Sequence, residues 1–153
     1  MDKKVNFQEI SEFEAPEQSP GFLLWQVSAS WRRKIEQSLK EFDLTHPQFV
    51  VLASLAWFAE IKKQVSQKEL STPVLIDTAT VSQIIRGLEK KGLITRARIE
   101  GDERAKYPTP TDAGALLITK ALPSIEACDK KFFAHLDNQQ DFLKHLNLLA
   151  KYD

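Results

Sequence analysis

The sequence predicts a mainly α-helical fold with one small β-hairpin, and two adjacent patterns predict it. Over residues 78–91, apolar residues recur at the three- and four-residue spacing of a helix with one buried face, and Gly92 follows. Residues 93–99 and 105–108 then read as two short strands joined by a turn. A short helix upstream, over 67–72, completes a helix-turn-helix. We therefore predict a winged helix-turn-helix with further helices on both sides.

The first twenty residues are predicted to form an acidic arm. They hold several glutamates and two prolines, a composition that disfavours a packed fold. Phe7, Ile10 and Phe13 are spaced three residues apart, so they could form a helical turn or pack against a second subunit. We place the boundary after residue 20 and predict one domain over residues 21–153.

Two helices are predicted ahead of the helix-turn-helix. The first spans about 21–42 and carries apolar residues at helical spacing. The second begins at Thr45, whose hydroxyl can cap it, and Gln48 completes a capping box. This helix continues to about residue 61 and is apolar on nearly every side, so we expect it to be buried at the centre.

The helix-turn-helix begins with another capping box, formed by Ser66 and Glu69, and Pro73 is expected to limit its first helix. Asp77 or Thr78 can cap its second helix, the longer one. Gly92 suits the left-handed position that follows a helix end. The longer helix should bury one apolar stripe, formed by Val81, Ile84, Ile85 and Leu88.

The opposite face of the longer helix is polar and free of acids. Each of its side chains carries a hydrogen-bond donor, and they are Thr78, Thr80, Ser82, Gln83, Arg86 and Lys90. Donors without carboxylates suit phosphates and base edges, so this face is a candidate DNA-reading surface. The alternative is that this face is simply exposed to solvent and binds nothing. The pattern of this helix, considered without its neighbours, would favour that alternative.

The hairpin is the second candidate for nucleic-acid contact. It presents three basic side chains: Arg98, Arg104 and Lys106. A slender loop tipped with arginine can enter a minor groove, whose negative potential attracts it. Pro108 lacks an N–H, so the returning strand should be short or lie at an edge. The alternative is a surface hairpin with Asp102–Arg104 and Glu100–Arg98 ion pairs.

Two helices are predicted after the hairpin. Thr111 should cap the first, Pro123 should kink or break it, and residues 124–136 should continue it. Asp137 with Gln140 should cap the last helix. The first and last helices of the domain carry more apolar residues than a small winged helix needs. We expect them to pair with a second copy, and the alternative is that they pack on each other within one chain.

Six segments, in this order and spacing, resemble the MarR family of winged-helix transcription regulators from bacteria and archaea. They are Leu44–Phe49, Lys68–Leu70, Thr80–Ser82, Leu88–Ile94, Gly101–Arg104 and Thr111–Gly114. The resemblance covers the chain from about Gly21 onward. The chain departs from the family at Pro110, where members usually have leucine, and we expect this proline to stiffen or shorten the second wing strand.

The resemblance implies a homodimer with a winged helix on each side. It implies that the helix over Thr78–Lys91 enters the major groove, that Arg104 reaches into the minor groove, and that Asp102 helps to hold the wing. Many members are repressors released by small phenolic or lipophilic molecules, some respond to cysteine oxidation, and a few are activators. The chain would divide into a winged helix over about 45–110 and dimerisation helices over about 21–42 and 111–153.

Net charge bounds the affinity for nucleic acid. The chain has 21 basic and 21 acidic residues, a balance that on its face argues against a nucleic-acid partner. Between Arg86 and Lys106, however, the sequence has seven basic residues and only four acidic ones. A local basic patch on a neutral body is still a usable phosphate footprint, so we expect modest affinity for random DNA and a clear salt dependence.

Other chemistry finds little support in the sequence. Cys128 and His135 could share a helix face, but two ligands do not close a structural zinc site. The lone Cys128 could be a redox switch, and a half-buried structural thiol is the favoured interpretation. No glycine-rich phosphate loop and no catalytic constellation stands out, so we predict no enzyme activity, no cofactor and no metal. Four aromatic residues could line an effector pocket or simply belong to the core: Trp25, Trp31, Trp57 and Phe58.

The sequence thus favours a sequence-specific regulator that binds double-stranded DNA as a homodimer on a pseudo-palindromic operator, more often a repressor than an activator. A small lipophilic or phenolic molecule is the candidate effector. The alternative is a winged-helix protein-interaction module without a DNA partner, which the acidic arm and zero net charge support. No apolar run is long enough to span a membrane and the N-terminus lacks an apolar signal core, so we expect a cytoplasmic protein.

Overall fold

The computed structural model describes residues 5–99 and 102–151, with the backbone alone for 97–99 and 102–106. Contacts divide the chain into two compact units, residues 1–34 and 35–153, and each is described by itself. The elements are α1 (Phe7–Ile10), α2 (Pro20–Leu39), α3 (His46–Glu60), α4 (Gln67–Val74), α5 (Thr78–Lys90), β1 (Ile94–Ile99), β2 (Asp102–Pro110), α6 (Asp112–Phe133) and α7 (Gln139–Ala150). This mainly helical architecture with one antiparallel hairpin confirms the predicted fold class.

The first unit contains α1, a 3-10 turn over Pro16–Gln18 and most of α2. The predicted turn of helix stops short of Phe13, because Ser11 already has an extended backbone, with φ −111° and ψ 140°. The part of α2 in this unit leaves a run of large apolar side chains exposed: Phe22, Leu23, Leu24, Trp25 and Val27.

The second unit is built around α3, which contacts α4, α5, α6 and β2. Its core joins the last turn of α2 to the helix-turn-helix, and the fully buried side chains are Ile35, Leu39, Val51, Leu52, Leu55, Leu70, Val81, Ile85 and Leu88. Each such side chain contributes about 1.5–3 kcal/mol relative to exposure. The expectation that α3 is buried on all sides is wrong for its last turns, where Trp57 is 62% exposed. An apolar helix is buried only where other elements cover it.

Both predicted capping boxes are present in the helix-turn-helix half. The hydroxyl of Thr45 accepts from the N–H of Gln48 at 3.2 Å, and the Gln48 side chain accepts from the Thr45 N–H at 3.1 Å. Ser66 and Glu69 repeat the arrangement at 3.2 and 2.8 Å. The N–H of Ser66 and then its hydroxyl hold the pKa of the Glu69 carboxyl below its ordinary value.

Prolines interrupt the helices less than the sequence suggested. Helix α4 continues through Pro73 and ends only when Leu75 adopts a left-handed backbone with φ 52°. Helix α6 runs unbroken through Pro123, so the predicted break is wrong. A proline removes one N–H donor, but its φ is compatible with a helix, and packing on both sides can hold the helix together.

The cap of the last helix lies one residue later than predicted. Asn138, rather than Asp137, precedes α7 and accepts from the N–H of Asp141 at 3.1 Å. The Asn138 amide also donates to the Asp141 carboxylate at 2.6 Å. An amide both accepts and donates, so Asn138 forms two hydrogen bonds with one partner.

The hairpin is longer on its return side than predicted. Strand β2 pairs antiparallel with β1 from Ile94 opposite Pro110 to Arg98 opposite Lys106, and the register shifts after Arg98. Pro110 therefore takes part in the pairing instead of shortening the strand. Both strands of a two-stranded sheet are edge strands, so a proline can face the unpaired side. Among the described residues, no helix combines the length and apolarity needed to cross a bilayer.

Candidate nucleic-acid interface

The start of α5 is held by Asp77 and by α4. One oxygen of the Asp77 carboxylate accepts from the N–H of Thr80 at 2.9 Å, and the other accepts from the Thr80 hydroxyl at 2.6 Å. These two hydrogen bonds, the hydroxyl first, hold the pKa of Asp77 below its ordinary value. The hydroxyl of Thr78 donates to that of Ser71 at 3.4 Å, which connects α5 to the helix before it.

The predicted polar face of α5 is accessible along its length. Thr78, Thr80, Gln83, Arg86 and Lys90 are exposed and Ser82 is half-buried, while Val81, Ile85 and Leu88 are fully buried on the other side. Ile84, predicted to share the buried stripe, is half-buried. The face available to a ligand thus carries the residue types that the sequence assigned to it.

Hydrogen bonds within the helix change what two of these side chains offer. The Arg86 guanidinium donates to the Ser82 hydroxyl at 3.1 Å, so these two side chains are held together one turn apart. The Thr80 hydroxyl proton is engaged by Asp77, so outward it offers an acceptor oxygen and a methyl group. Thr80 therefore suits a base amine or the thymine methyl better than a phosphate.

Glu89, an acid in the last turn of α5, is paired with a base of the first strand. Its carboxylate accepts from the guanidinium Nε of Arg96 at 3.0 Å, and both side chains are about 30% exposed, at 30% and 29%. Sequence inspection counted these two residues as independent charges. Their pairing connects α5 to β1 and takes a carboxylate away from approaching phosphates.

The base of the wing is locked by close backbone contacts. Gly92 has the predicted left-handed backbone, with φ 70°, and its carbonyl accepts from the Thr111 hydroxyl at 2.6 Å. The same hydroxyl accepts from the N–H of Gly114 at 3.1 Å. A Cβ on Gly114 would lie 2.1 Å from the carbonyl oxygen of Leu93, so α6 approaches the residue just before β1 as only glycine allows. The side chains assigned to the wing lie outside the described residues: Arg98, Asp102, Arg104 and Lys106.

Among the cavities lined by described residues, two lie in the second unit. One, of about 370 Å³, is lined by Phe58, Lys63, Tyr107 and other residues at the wing base. The other, of about 740 Å³, is lined by α3 and α6 residues, among them Ala56, Ile118 and Leu122. Of the four predicted effector-site residues, Phe58 lines the smaller cavity and Trp57 lines neither, while Trp25 and Trp31 belong to the first unit. The four-residue set stays a prediction.

The described residues offer little for metal or thiol chemistry. They contain no group of three or more histidine, cysteine, aspartate or glutamate side chains placed to hold a metal ion. Cys128 is a free, half-buried thiol in α6.

Comparison with known proteins identifies relatives over most of the chain. The sequence model that describes the MarR family matches residues 44–106, which run from just before α3 into the hairpin. The HTH-type transcriptional regulator YdcH of Bacillus subtilis is 41% identical over 143 residues, covering 94% of this chain and 97% of the relative.

Solved structures share the same fold. BpsR of Bordetella bronchiseptica, whose DNA binding is regulated by 6-hydroxynicotinic acid, has a TM-score of 0.80 at 23% identity and covers 94% of this chain and all of its own. The MarR family protein Rv2887 of Mycobacterium tuberculosis, in complex with DNA, has a TM-score of 0.65 at 25% identity, with coverage of 86% and 97%.

Proposed function

The chain belongs to the MarR family of DNA-binding transcriptional regulators, and we propose that it represses transcription as a homodimer on a pseudo-palindromic operator. The observation that carries the proposal is the exposed, acid-free face of α5, followed directly by a paired hairpin. A helix and a hairpin of these dimensions match the major and minor grooves of duplex DNA.

The side chains on this surface have separate roles in the proposal. Base edges or adjacent phosphates are contacted by the residues of the α5 face: Thr78, Thr80, Ser82, Gln83 and Arg86. Phosphates alone are contacted by Lys90, Arg98 and Lys106. Arg104 enters the minor groove, and Asp102 supports the wing. The DNA complex of Rv2887 supports this use of the fold. Phosphate contacts would set the position on the duplex, and the base contacts would supply the sequence preference.

A homodimer accounts for the apolar surface of the terminal helices. In α7, Leu143, Leu146, Leu148 and Leu149 are exposed, as are several large side chains of α2. Exposed apolar rows of this kind mark an interface. In a symmetric dimer, two copies of α5 about 34 Å apart would read two half-sites one helical turn apart. We also propose that residues 1–20 form an acidic arm and that residues 21–153 form the single domain that dimerises.

An effector would act by shifting the dimer between states with different α5 separations. The cavity of about 740 Å³ between α3 and α6 is large enough for a small aromatic molecule. The regulation of BpsR by 6-hydroxynicotinic acid supports an effector of this size. Such a ligand releases DNA only by as much as its affinities for the two states differ. We propose no catalytic reaction, since the relatives are transcriptional regulators.

Fluorescence anisotropy tests the proposal directly. The labelled probe is a duplex that the wild-type chain recovers from a random-sequence library, and the control is the same duplex with its half-sites scrambled. We expect tighter binding to the recovered duplex by about a thousandfold or more at physiological salt, and strong weakening between about 50 and about 200 mM salt. Equal binding to both duplexes, or none at low salt, would favour the protein-interaction module instead.

A further inference from the structure

Two adjacent lysines end the α5 helix, and their surroundings differ. Both residues are exposed, and Lys90 lies one helical turn after Arg86 on the polar face of α5. Lys91, the residue that caps the helix, is only 32% exposed at its side chain and is turned toward the start of α3. Residue type does not distinguish them, but their contacts do.

The ammonium group of Lys91 has three acceptor atoms around it. It donates to the backbone carbonyl of Asp43 and, at 3.3 Å, to the side-chain oxygen of Gln48. It also forms an ion pair at 3.3 Å with the exposed Asp43 carboxylate. A phosphate at Lys91 would have to compete with these contacts.

Gln48 connects three parts of the structure. Its side-chain oxygen accepts both from the Thr45 N–H, closing the capping box of α3, and from Lys91. Its amide nitrogen lies 3.2 Å from the place where a Cβ on Gly87 would stand. A side chain at residue 87 would therefore press on the end of the Gln48 side chain, which would have to shift by a few tenths of an ångström.

These contacts hold the C-terminal end of α5 at one angle. Asp43 has a left-handed backbone, with φ 51°, and its N–H donates to the Lys40 carbonyl at 3.2 Å, so Lys91 is bound to a hydrogen-bonded turn before α3. A helix of 13 residues is about 20 Å long, and a tilt of about 5° at one end displaces the other by almost 2 Å. A displacement of that size breaks hydrogen bonds between the Thr80–Arg86 part of α5 and base edges.

We propose that Lys91, with Asp43, Gln48 and Gly87, is a positioning residue that sets the angle of α5 on DNA, and that it is not a phosphate ligand. We call these four residues the Lys91 cluster. The proposal rests on the proposed function, since it concerns how the same helix reads its operator. It also assigns opposite roles to two neighbouring lysines, which makes it testable by substitution.

The test measures affinity for the recovered and scrambled duplexes across a salt series for wild type, Lys90→Met, Lys91→Met and Lys91→Arg. Loss of a phosphate contact lowers the slope of log affinity against log salt by about one per chain, and we expect this for Lys90→Met. For Lys91→Met we expect an unchanged slope and a loss of about tenfold in the ratio of the two affinities. Lys91→Arg, which keeps the charge and the donors, should restore the ratio.

A second variant probes the same contact without removing a charge. Gly87→Ala pushes a methyl group against Gln48, so the ratio of the two affinities should fall several-fold. The salt slope should stay at the wild-type value. The thermal midpoint should be unchanged or higher, because alanine favours a helix. Gly21→Ala in α2 is the matched control, because its added Cβ meets nothing within 4 Å. We expect it to show the effect of an added helical methyl group alone, with a thermal midpoint equal to or above that of the wild type.

Three outcomes would overturn the assignment. A Lys91→Met chain whose salt slope falls as in Lys90→Met, with its affinity ratio intact, would make Lys91 a phosphate ligand. Wild-type values for both Lys91→Met and Gly87→Ala would remove any positioning role. A wild-type chain that fails to distinguish the two duplexes would sink the proposed function first, and the positioning role with it.

Discussion

At the scale of single residues, partners decide what a side chain can do. Arg96 and Lys91 both belong to the basic stretch between Arg86 and Lys106, yet one pairs with Glu89 and the other with Asp43. Arg86 is also hydrogen-bonded, but to a hydroxyl on its own exposed face. A neutral partner leaves the charge of Arg86 available, so we regard it as the strongest candidate for a base contact.

Arg86→Ala should weaken binding to the recovered duplex by about 1–3 kcal/mol if the guanidinium makes a bidentate contact with a base. Binding to scrambled DNA should change much less, because that binding depends on phosphates. Anisotropy titration of both duplexes measures the difference. Arg33→Ala, an exposed arginine in α2, is the control, and equal losses in the two variants would contradict a reading role for Arg86.

The cap of α5 predicts a pH dependence of stability. The hydrogen bonds from Thr80 lower the pKa of Asp77 in the folded chain, so the ionised carboxylate stabilises the fold. That contribution is present above the ordinary aspartate pKa of about 3.9 and is lost as the pH falls through the lower folded value. In urea unfolding at pH 7, the free energy of unfolding should be larger for the wild type than for Asp77→Asn. The difference between the two free energies should become smaller in acid. A gap that widens in acid would contradict the assignment.

At the scale of elements, most short-range signals were confirmed, although the last cap lies at Asn138 instead of Asp137, and the proline signals were not. Two capping boxes and the glycine at the end of α5 follow from residues within a few positions of each other, and the structure has all three. Helices α4 and α6 continue past Pro73 and Pro123, and strand β2 extends as far as Pro110. Whether a lost N–H ends an element depends on the packing of its neighbours, which the local sequence does not contain.

Gly114→Ala should destabilise the fold by about 1–3 kcal/mol, because the new Cβ would overlap the backbone carbonyl of Leu93 and force β1 and α6 apart. Chemical unfolding measures the loss. Gly21→Ala again serves as the control, since it adds the same methyl group to open space. Similar stabilities for the two variants would show that the wing base tolerates a wider spacing.

At the scale of the whole molecule, the proposed homodimer follows from exposed apolar surface. Four leucines of α7 are exposed, and a row of exposed apolar side chains is typical of a protein–protein interface. A dimer would also bring two α5 helices to one duplex, and two half-sites bound together gain affinity without any new contact. Assembly and DNA reading are therefore expected to fail together.

Leu146→Glu combined with Leu149→Glu should convert a dimer of about twice 17.4 kDa into monomers, because each carboxylate would be buried at the interface. Light scattering after size-exclusion chromatography measures the mass, and circular dichroism checks that the helices remain. The affinity for the recovered duplex should fall at least a hundredfold. Lys144→Glu, on the same helix, is the charge control, and a wild-type monomer would refute the dimer.

The sequence by itself determined the winged helix-turn-helix, its caps and the polar face of α5, because helical periodicity and capping act within a few residues of the chain. Only the tertiary structure decided which charges remain free. The pairing of Glu89 with Arg96 and of Lys91 with Asp43 joins residues 7 and 48 positions apart. The approach of Gly114 to Leu93 joins two residues on either side of the hairpin. Such pairings depend on where separate elements meet, and no local pattern encodes that distance.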